Sequence, residues 1–419
     1  MKIKIFFLLL LIFLTPIKGM AEELTLTLDQ AIAIALGNNS DILLGRQEVN
    51  KARSKVGEAR AGLAPSVTAA AGVNYYRGYY NKDSTQESVQ IGIKQYLYKG
   101  GKTSSTIAYQ KYLLESAQFG DQIIGRNIIL SVSKAFYALL LAQDLAEVNN
   151  AVSGNARAHL VSAQKRFEKG EVSGSQILKL QESLAKAEEA AVFCINQSEY
   201  ARELLANLLS LDKKEAIKAE GEFIFDPKEV AFDAAFISAL SKRPEIKQYE
   251  TKYKAAQQAV SMAKADTRPQ VYAALDYYGR SHGASGTSRN ANDYQIAGLV
   301  LSWPFFDGWA ARQKVSQAIV DVKEAQLNKD QLKKDIRLEL KNAYVGLKNA
   351  MAKYNANKSE FMVSEDDLRA AKIQYAKGEA SSLEVQTAEV ALLLTKYGRS
   401  QTAYDYLVAK LEFEQASGG

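Results

Sequence analysis

The most restrictive feature of this chain is a long internal repeat, in which one pattern of residues occurs twice, about 205 positions apart. Ala35-Leu36 and Asp41-Ile42 in the first copy correspond to Ala239-Leu240 and Glu245-Ile246 in the second. Three further landmarks recur in the same order: Pro65 as Pro269, Tyr96–Gly101 as Trp303–Gly308, and Phe167-x-x-Gly170 as Tyr375-x-x-Gly378. No change in composition separates the copies, so the 419 residues predict one architecture built by duplication rather than a set of unrelated domains.

The first 21 residues have the pattern of an export signal. Lys2 and Lys4 precede the apolar run Ile5–Leu14, and Gly19-Met20-Ala21 supplies the small residues of a signal-peptidase site. We therefore expect residues 1–21 to be a signal peptide and the mature protein to be exported. This segment contributes three lysines to the formal net charge of +6, so the mature chain is only weakly basic and predicts no nucleic-acid partner.

The first copy is predicted to span residues 22–211. Thr27 and Gln30 form a capping box that starts a helical region. Alternating apolar and polar residues then predict a β-hairpin at about 66–98, with a polar turn over 81–85. Two long helices are expected to follow, over 102–168 and 176–211. The lone cysteine, Cys194, lies in the second of these helices and is expected to be a small buried side chain.

The second copy is predicted to span residues 232–414. Its β-hairpin is expected at about 270–303, with a loop at 281–286, and its long helices over 308–376 and 382–414. The charged segment 212–231 is interpreted as a linker between the copies, and the small polar tail 415–419 is expected to be disordered.

The long helices carry an apolar stripe that has the same spacing in both copies. Steps that alternate between three and four residues are the signature of a coiled-coil seam. The stripe consists of Ile124, Ile128, Val132, Ala135, Leu139, Ala142 and Ala146, and of Leu332, Ile336, Leu340, Ala343, Leu347, Ala350 and Tyr354. We therefore predict paired long helices, each first helix being about 100 Å long at 1.5 Å per residue.

The hairpin strands are long enough to cross an outer membrane, for which about 9–11 residues are sufficient. Aromatic side chains lie near both ends of the strands, where a spanning barrel places its two aromatic girdles. They are Tyr75, Tyr76, Tyr79, Tyr80, Tyr277, Tyr278 and Tyr294 near the loops, and Tyr96, Tyr98, Tyr272, Trp303, Phe305 and Phe306 near the helices. Four strands cannot close a barrel, and an open edge in lipid leaves backbone groups unpaired. Several chains must therefore contribute strands; two would supply eight and three would supply twelve.

The order of these motifs resembles the TolC-type outer-membrane efflux protein family. The segments that carry the resemblance are Leu26–Ala31, Ser302–Gly308 and the paired Phe/Tyr-x-x-Gly turns, and the resemblance extends over essentially all of the mature chain. It implies a mainly α fold with transmembrane β-strands, in which a homotrimer forms a twelve-stranded barrel and an α-helical periplasmic tunnel. It also implies an outer-membrane location in a Gram-negative bacterium and contact with membrane lipid.

The same resemblance implies a function as the exit duct of a tripartite efflux pump or a type I secretion system. The implied partners are a periplasmic adaptor (membrane fusion) protein and an inner-membrane RND, ABC or MFS transporter. The turns with Phe167, Gly170 and Glu171, and with Tyr375, Gly378 and Glu379, are interpreted as the tip where the adaptor docks. Pro65, Gly101, Pro269, Pro304 and Gly308 are interpreted as the junctions between barrel and helices.

In this family, acidic side chains soon after the second turn line the entrance of the channel. Glu384 stands at the matching position, whereas the next such position holds Thr387, and the first copy has Gln176 where the second has Glu384. The resemblance therefore implies an entrance gate formed by these three residues, in which three copies of Glu384 form a ring that favours cations. A solvated surface carboxylate is the competing interpretation of Glu384.

The sequence does not support an enzyme. Its two histidines and single cysteine provide no metal-ligand spacing, and no cofactor is predicted. Gly100-Gly101-Lys102-Thr103 resembles the end of a phosphate-binding loop, but that motif needs glycine where this chain has Tyr96. The alternative to a channel is a periplasmic coiled-coil adaptor or another structural component of an export machine, which would lack the duplicated aromatic hairpins.

Overall fold

The computed structural model of this protein describes residues 24–79, 82–211, 217–227, 230–284, 290–380 and 382–419. In chain order its elements are β1 (Leu24–Leu26), α1 (Leu28–Asn38), α2 (Ser40–Ala61), β2 (Ser66–Tyr79), β3 (Lys82–Lys99), α3 (Lys102–Glu168), α4 (Gly174–Leu209), β4 (Ile217–Ala219), α5 (Phe232–Lys242), α6 (Pro244–Ala265), β5 (Gln270–Ala284), β6 (Asn290–Ser302), α7 (Ala310–Ala376) and α8 (Ser382–Ser417). The predicted signal peptide lies outside the described residues.

The predicted start of the first helix is visible in its hydrogen bonds. The Gln30 amide donates to Thr27 Oγ1 at 3.5 Å, and the Thr27 amide donates to Gln30 Oε1 at 3.0 Å. These two bonds are the reciprocal pair of a capping box. Asn39 then separates α1 from α2 and accepts a 2.9 Å bond from the Asp41 amide at the start of α2.

The strands form two sheets. Strands β2, β3, β5 and β6 lie in that order in one antiparallel sheet, so the hairpins of the two copies are neighbours. Strands β1 and β4 form a separate two-stranded parallel sheet. The segment interpreted as a linker therefore contains a strand, because Ile217 and Ala219 are buried and pair with the β1 backbone.

The hairpin strands extend further towards their loops than the sequence predicted. Strand β3 begins at Lys82, inside the predicted turn 81–85, and β5 continues to Ala284, inside the predicted loop 281–286. The two strands pair with each other as far as Ser84 and Ala284. Backbone hydrogen bonds to a neighbouring strand thus override the local preference of these polar residues for turns.

The helix boundaries also differ from prediction, and three differences have a visible cause or extent. Helix α4 begins two residues early, with Ser173 at its N-cap position. Helix α7 begins at Ala310 rather than 308, because Gly308 and Trp309 have φ of 68° and 70° and interrupt the helix. The tail expected to be disordered is instead the end of α8, which continues to Ser417.

The end of α8 is ordered because other helices bind its carbonyl groups. Arg126 donates to Gln415 O at 2.8 Å, and the buried Arg243 donates to Ala416 O at 3.4 Å. Ala416 itself is only 1% exposed. The small polar residues of the tail gave no sign of these long-range contacts.

The chain divides into two compact units. The first comprises the described residues within Met1–Ala35, Ser131–Ile224 and Ala356–Tyr404. Its core is centred on Val132, Phe136 and Leu139 of α3, with Leu205 and Leu209 of α4, all at most 2% exposed. The predicted seam thus provides core residues, and Cys194 is buried as predicted.

The second unit comprises Leu36–Leu130, Phe225–Asn355 and Asp405–Gly419. It contains the four-stranded sheet and a helical core that includes Ile336, Leu340 and Leu347 of the second seam. Phe225 stacks on Tyr354 with ring centres 3.7 Å apart, and the Tyr406 hydroxyl donates to Asp226 O at 2.6 Å.

One part of α3 is long and apolar enough to cross a membrane, by length and composition alone. The core helix of a folded domain has the same composition. In this helix Val132, Phe136 and Leu139 are buried within the chain, so the stretch is explained by packing.

Candidate channel wall and entrance

The four-stranded sheet has one apolar face and one polar face. In an antiparallel sheet, directly paired residues lie on the same face. The apolar face carries Val67, Ala69, Ala71 and Val73 of β2, Val89, Ile91 and Ile93 of β3, Leu275 and Tyr277 of β5, and Leu299 and Leu301 of β6. The polar face carries Thr68, Asn74, Gln90, Lys94, Asp276 and Arg280 together with the apolar Ile296 and Val300, and the apolar face also holds Glu87 and Asp293 near the loops. Val67 and Leu301 are 67% and 68% exposed, so no described residue of this chain covers these parts of the apolar face.

The polar face is linked across the strands by hydrogen bonds. Gln90 Nε2 donates to the Tyr278 hydroxyl at 3.1 Å and to Asp276 Oδ1 at 3.5 Å. Thr68 Oγ1 donates to Gly92 O at 3.4 Å. A Cβ atom at position 92 would be 2.6 Å from Asp276 Oδ1, so glycine is needed there for the Asp276 side chain to lie across β3.

The aromatic residues predicted for the girdles lie on both faces. Tyr75, Tyr98 and Tyr277 share the apolar face, as a lipid-facing girdle requires. Tyr96 and Tyr294 instead lie on the polar face, where they pair with Tyr272 and Tyr278 and pack at ring-centre distances of 5.5 and 5.1 Å. A register shift between Tyr96 and Tyr98 turns these near neighbours to opposite faces, which a simple alternation in the sequence does not reveal.

The remaining residues predicted for the girdles lie at the ends of strands or just beyond them. Trp303 and Phe305, just after β6, are 60% and 86% exposed. Tyr79 ends β2 and pairs with Lys82, and Tyr80 lies outside the described residues.

The sheet has two open edges. Within the described part of the chain, β2 pairs only with β3 and β6 pairs only with β5. In β2 from Ser66 to Asn74 and throughout β6, the backbone groups that point away from the sheet have no partner strand in the described part of the chain. In hydrocarbon every such group costs several kcal/mol if it stays without a hydrogen-bond partner.

The predicted junctions lie where strands and helices meet. Gly100 and Gly101 have φ of 62° and 85° and join β3 to α3. Arg268 Nη1 donates to Gly100 O at 3.0 Å, and the Lys102 ammonium lies 2.6 Å from Asp266 Oδ1. The two glycines therefore let the chain change direction between β3 and α3. This role accounts for them without a phosphate-binding loop. Pro65 and Pro269 directly precede β2 and β5.

The second junction lacks the tandem glycine of the first. Gly308 is followed by Trp309, which holds a φ of 70° that large side chains rarely adopt. The Asp307 carboxylate accepts a 2.8 Å bond from the Ala311 amide at the start of α7. Pro304 lies between β6 and this turn, after the last strand residue.

The two tip turns, residues 166–171 and 374–379, have the same backbone conformation. Gly170 and Gly378 have φ of 78° and 79°, and each amide donates to the carbonyl three residues earlier, at 2.8 and 3.0 Å. Glycine suits this left-handed helix end. The turns differ in charge, because Arg166 lies 3.1 Å from Glu171 in the first turn, whereas the second has Gln374 at the position of Arg166.

The three predicted gate residues all lie on exposed surfaces of the first unit. Gln176 of α4 and Thr387 of α8 line one cavity of about 320 Å³. Glu384 is exposed and does not belong to the lining of that cavity. Within this unit the structure therefore brings two of the three residues together, and the position of Glu384 relative to a channel axis stays a prediction.

Sequence reasoning missed other residues of this cavity. His159 and Arg166 of α3 and Lys179 of α4 supply its basic groups, and Gln386 of α8 is buried in it. No local motif marks these residues, because they approach one another only through helix packing. Elsewhere on α3, outside the lining of this cavity, burial and the charge of Glu147 raise the pKa of Asp144, against a hydrogen bond to Ser400 and the charge of Lys396.

The described residues contain no cluster of His, Cys, Asp and Glu side chains suited to a metal ion. Burial raises the pKa of the Cys194 thiol, which keeps it protonated and unreactive.

A membrane-spanning sheet with one apolar face, together with paired long helices in two copies, defines an outer-membrane channel protein. The family description "Outer membrane efflux protein" matches residues 31–210 and 237–419, one match for each copy. The chain belongs to this family, as the resemblance of its motifs predicted.

Individual relatives and solved structures agree with this assignment. The chain is 26% identical to "Protein CyaE" of Bordetella pertussis over 338 residues, covering 79% of this chain and 71% of that protein. It is 20% identical to "Outer membrane protein TolC" of Escherichia coli over 399 residues, covering 91% and 80% respectively. Its fold resembles the Campylobacter jejuni CmeC outer membrane channel with a TM-score of 0.77 at 17% identity, covering 93% of this chain and 85% of that one.

As a member of this family, the chain is an outer-membrane channel that serves as an exit duct for efflux or type I secretion. Its location is the outer membrane of a Gram-negative bacterium. The family consists of ducts rather than enzymes. Because the family description matches both copies of the repeat, the channel is favoured over the alternative interpretation as a periplasmic adaptor.

Proposed function

We propose that three copies of this chain close one twelve-stranded transmembrane barrel and that their long helices line a periplasmic tunnel. The observation that carries this proposal is the four-stranded sheet, which combines an apolar face with two unpaired edges. Strand β6 of one copy then pairs with β2 of the next, so that every edge group finds a partner. Twelve strands leave an open interior, whereas eight leave one filled by side chains.

The polar face lines the interior of this barrel, and the apolar face contacts lipid. The network of Gln90, Asp276 and Tyr278 then faces water. No substrate pocket is needed in such a duct, because cargo selection belongs to an inner-membrane transporter of the RND, ABC or MFS class. A periplasmic adaptor connects that transporter to the channel at the tip turns around Gly170 and Gly378.

We assign the entrance gate to Glu384, Thr387 and Gln176. Threefold symmetry repeats Glu384 around the axis, and a ring of carboxylates at a narrow entrance attracts cations. Support comes from the exposure of Glu384 in the single chain and from its place shortly after the second tip turn.

The assembly is tested by expressing the full chain and locating it by membrane fractionation. We expect it in the outer-membrane fraction, as a species of three chains in detergent that migrates as an oligomer on SDS gels until heated. A soluble monomer in the periplasm would refute the channel, and a stable dimer in detergent would refute the twelve-stranded barrel.

The gate is tested by ion permeability of the purified oligomer in planar bilayers. In Glu384→Gln we expect the cation-to-anion permeability ratio to fall about threefold or more, because the ring loses its charge. Glu379→Gln is the matched control, since Glu379 is also acidic and lies in the tip turn itself. Equal ratios in wild type and Glu384→Gln would exclude Glu384 from the pore.

A further inference from the structure

Two lysines and two tyrosines form a cluster on the polar face, at the end of the sheet nearest the helices. Strand register places Lys94, Tyr96, Tyr272 and Lys99 on this face, and Lys99 pairs with Gln270 at the start of β5. We call these four residues the lysine–tyrosine cluster. All four side chains are half-buried within a single chain.

The rings hold both ammonium groups in place. Lys94 Nζ lies 3.9 Å from the centre of the Tyr272 ring and 4.8 Å from that of Tyr96. Lys99 Nζ lies 4.4 Å from the centre of the same Tyr96 ring. Cation–π contacts of this kind orient a charge without neutralising it.

The cluster carries an excess of positive charge. Within the described residues, no carboxylate lies within ion-pair distance of Lys94 or Lys99. Among the described residues of the polar face, Asp276, one row nearer the loops, is the only acid between this cluster and Tyr278, and it accepts a hydrogen bond from Gln90. The β2 and β6 residues of the same rows, such as Ser66 and Val300, are uncharged.

We propose that the lysine–tyrosine cluster is a binding station for anions inside the channel. This inference rests on the proposed trimer, in which three clusters place six ammonium groups around one lumen. Rings of lysine favour anions and phosphate groups in pores. Lys94 Nζ and Lys99 Nζ lie 4.8 and 4.4 Å from one ring centre, so their separation is comparable with the Debye length of about 8 Å and salt screens their combined field only partly.

The ligand class follows from this chemistry. The ring of ammonium groups transiently binds phosphate, sulfonate and carboxylate groups. These groups belong to small molecules or to extended polypeptides. The station adds a preference for acidic groups to the cargo selection made by the inner-membrane transporter. It favours acidic cargo inside the barrel, whereas the entrance ring favours cations.

The test is block of single-channel current by inorganic tripolyphosphate, added to both compartments of a planar bilayer. We expect the dissociation constant for block to rise at least tenfold in Lys94→Gln/Lys99→Gln. Lys94→Arg/Lys99→Arg keeps both charges and should retain block within threefold of wild type. Lys51→Gln is the control for general loss of positive charge, because Lys51 is an exposed lysine of α2 outside the sheet.

Normal conductance with unchanged block in the glutamine variant overturns the anion station but leaves the channel intact. Absence of any conductance from the wild-type protein overturns the proposed function itself. If the double variant does not assemble, Lys94→Cys in a Cys194→Ser background supplies a second measurement. An anionic thiosulfonate reagent should then modify Cys at 94 at least fivefold faster than a cationic one, because Lys99 remains; equal rates overturn the proposal.

Discussion

Lys102, the first residue of α3, lies with its ammonium 2.6 Å from the carboxylate of Asp266, the C-cap residue of α6. This ion pair joins the helix that follows the first hairpin to the helix that precedes the second. Both side chains are partly shielded, at 37% and 26% exposure. It is therefore a direct link between the two copies of the repeat at the base of the sheet.

We expect Asp266→Asn to destabilise the protein by about 1 kcal/mol, because a partly shielded pair is worth more than an exposed one. The measurement is thermal unfolding of the detergent-extracted protein, followed by circular dichroism. Glu48→Gln breaks the exposed pair with Lys51 and is the control, with an expected loss of about 0.3 kcal/mol. Equal losses in the two variants would contradict the structural role of Lys102–Asp266.

The adjacent glycines Gly100 and Gly101 provide a matched pair of substitutions. Both have positive φ, so alanine at either position adds strain of about 1–2 kcal/mol. At position 100 a Cβ would also lie 2.8 Å from Ala265 O and from Arg268 Cβ, whereas at 101 the nearest atom is 3.4 Å away. Gly100→Ala should therefore lower the melting temperature of the oligomer clearly more than Gly101→Ala, and the reverse order would show that the junction differs from this structure.

Arg243 is a buried charge held by three acceptors. It forms a double contact with Glu245, donates to Glu339 at 2.9 Å and also binds the end of α8. Removal of its charge leaves the partly buried Glu245 without its hydrogen-bonded partner and with only the 4.0 Å contact to Arg126. We expect Arg243→Met to cost about 3 kcal/mol and to loosen the α8 end, measured by thermal unfolding and by faster proteolysis at 415–419.

The same network makes stability depend on pH. Burial alone would raise the pKa of Glu245, but hydrogen bonds from Arg243 and its positive charge outweigh burial and lower the pKa below its ordinary value of 4.5. A carboxylate whose pKa is lower in the folded state than in the unfolded state stabilises the fold. This contribution is complete above the unfolded-state pKa and is lost as pH falls through the folded-state pKa. The melting temperature should fall below about pH 4.5 in wild type, and by less in Glu245→Gln; identical pH profiles would exclude this contribution.

Neighbouring residues of β3 test the two faces of the sheet. Ile91 lies on the apolar face and Gln90 on the polar face, at adjacent positions. Lysine on the lipid side of a spanning strand costs about 2–4 kcal/mol near the middle of the bilayer. Ile91→Lys should therefore reduce the amount of heat-sensitive oligomer in the outer membrane, whereas Gln90→Lys should assemble normally, and the opposite result would reverse the assignment of the faces.

The order of the elements was predictable because it depends on local pattern. The capping box of Thr27 and Gln30 predicted the start of the first helix. Gly170 and Gly378 predicted helix ends, because glycine readily adopts the positive φ found there. The seam around Val132 and Leu340 was predictable from spacing alone, because a three-four step places side chains on one side of a helix.

Other features were hidden because they depend on contacts between distant segments. Strand β4 exists through its pairing with β1, and the end of α8 is ordered by Arg126 and Arg243. Ser281–Ala284 join β5 because the neighbouring strands extend alongside them, despite turn-forming residues. None of these partners is close in sequence.

The sequence by itself determined the duplication, the alternation of hairpins and long helices, and the family to which the chain belongs, since each depends on residue spacing along one chain. Only the tertiary structure decided that the two hairpins are neighbours in one sheet and that Tyr96 and Tyr98 face opposite sides. It also brought Lys94 and Lys99 together over one ring. The physical reason is that strand register and bulges are set by pairing between strands, which local spacing does not record.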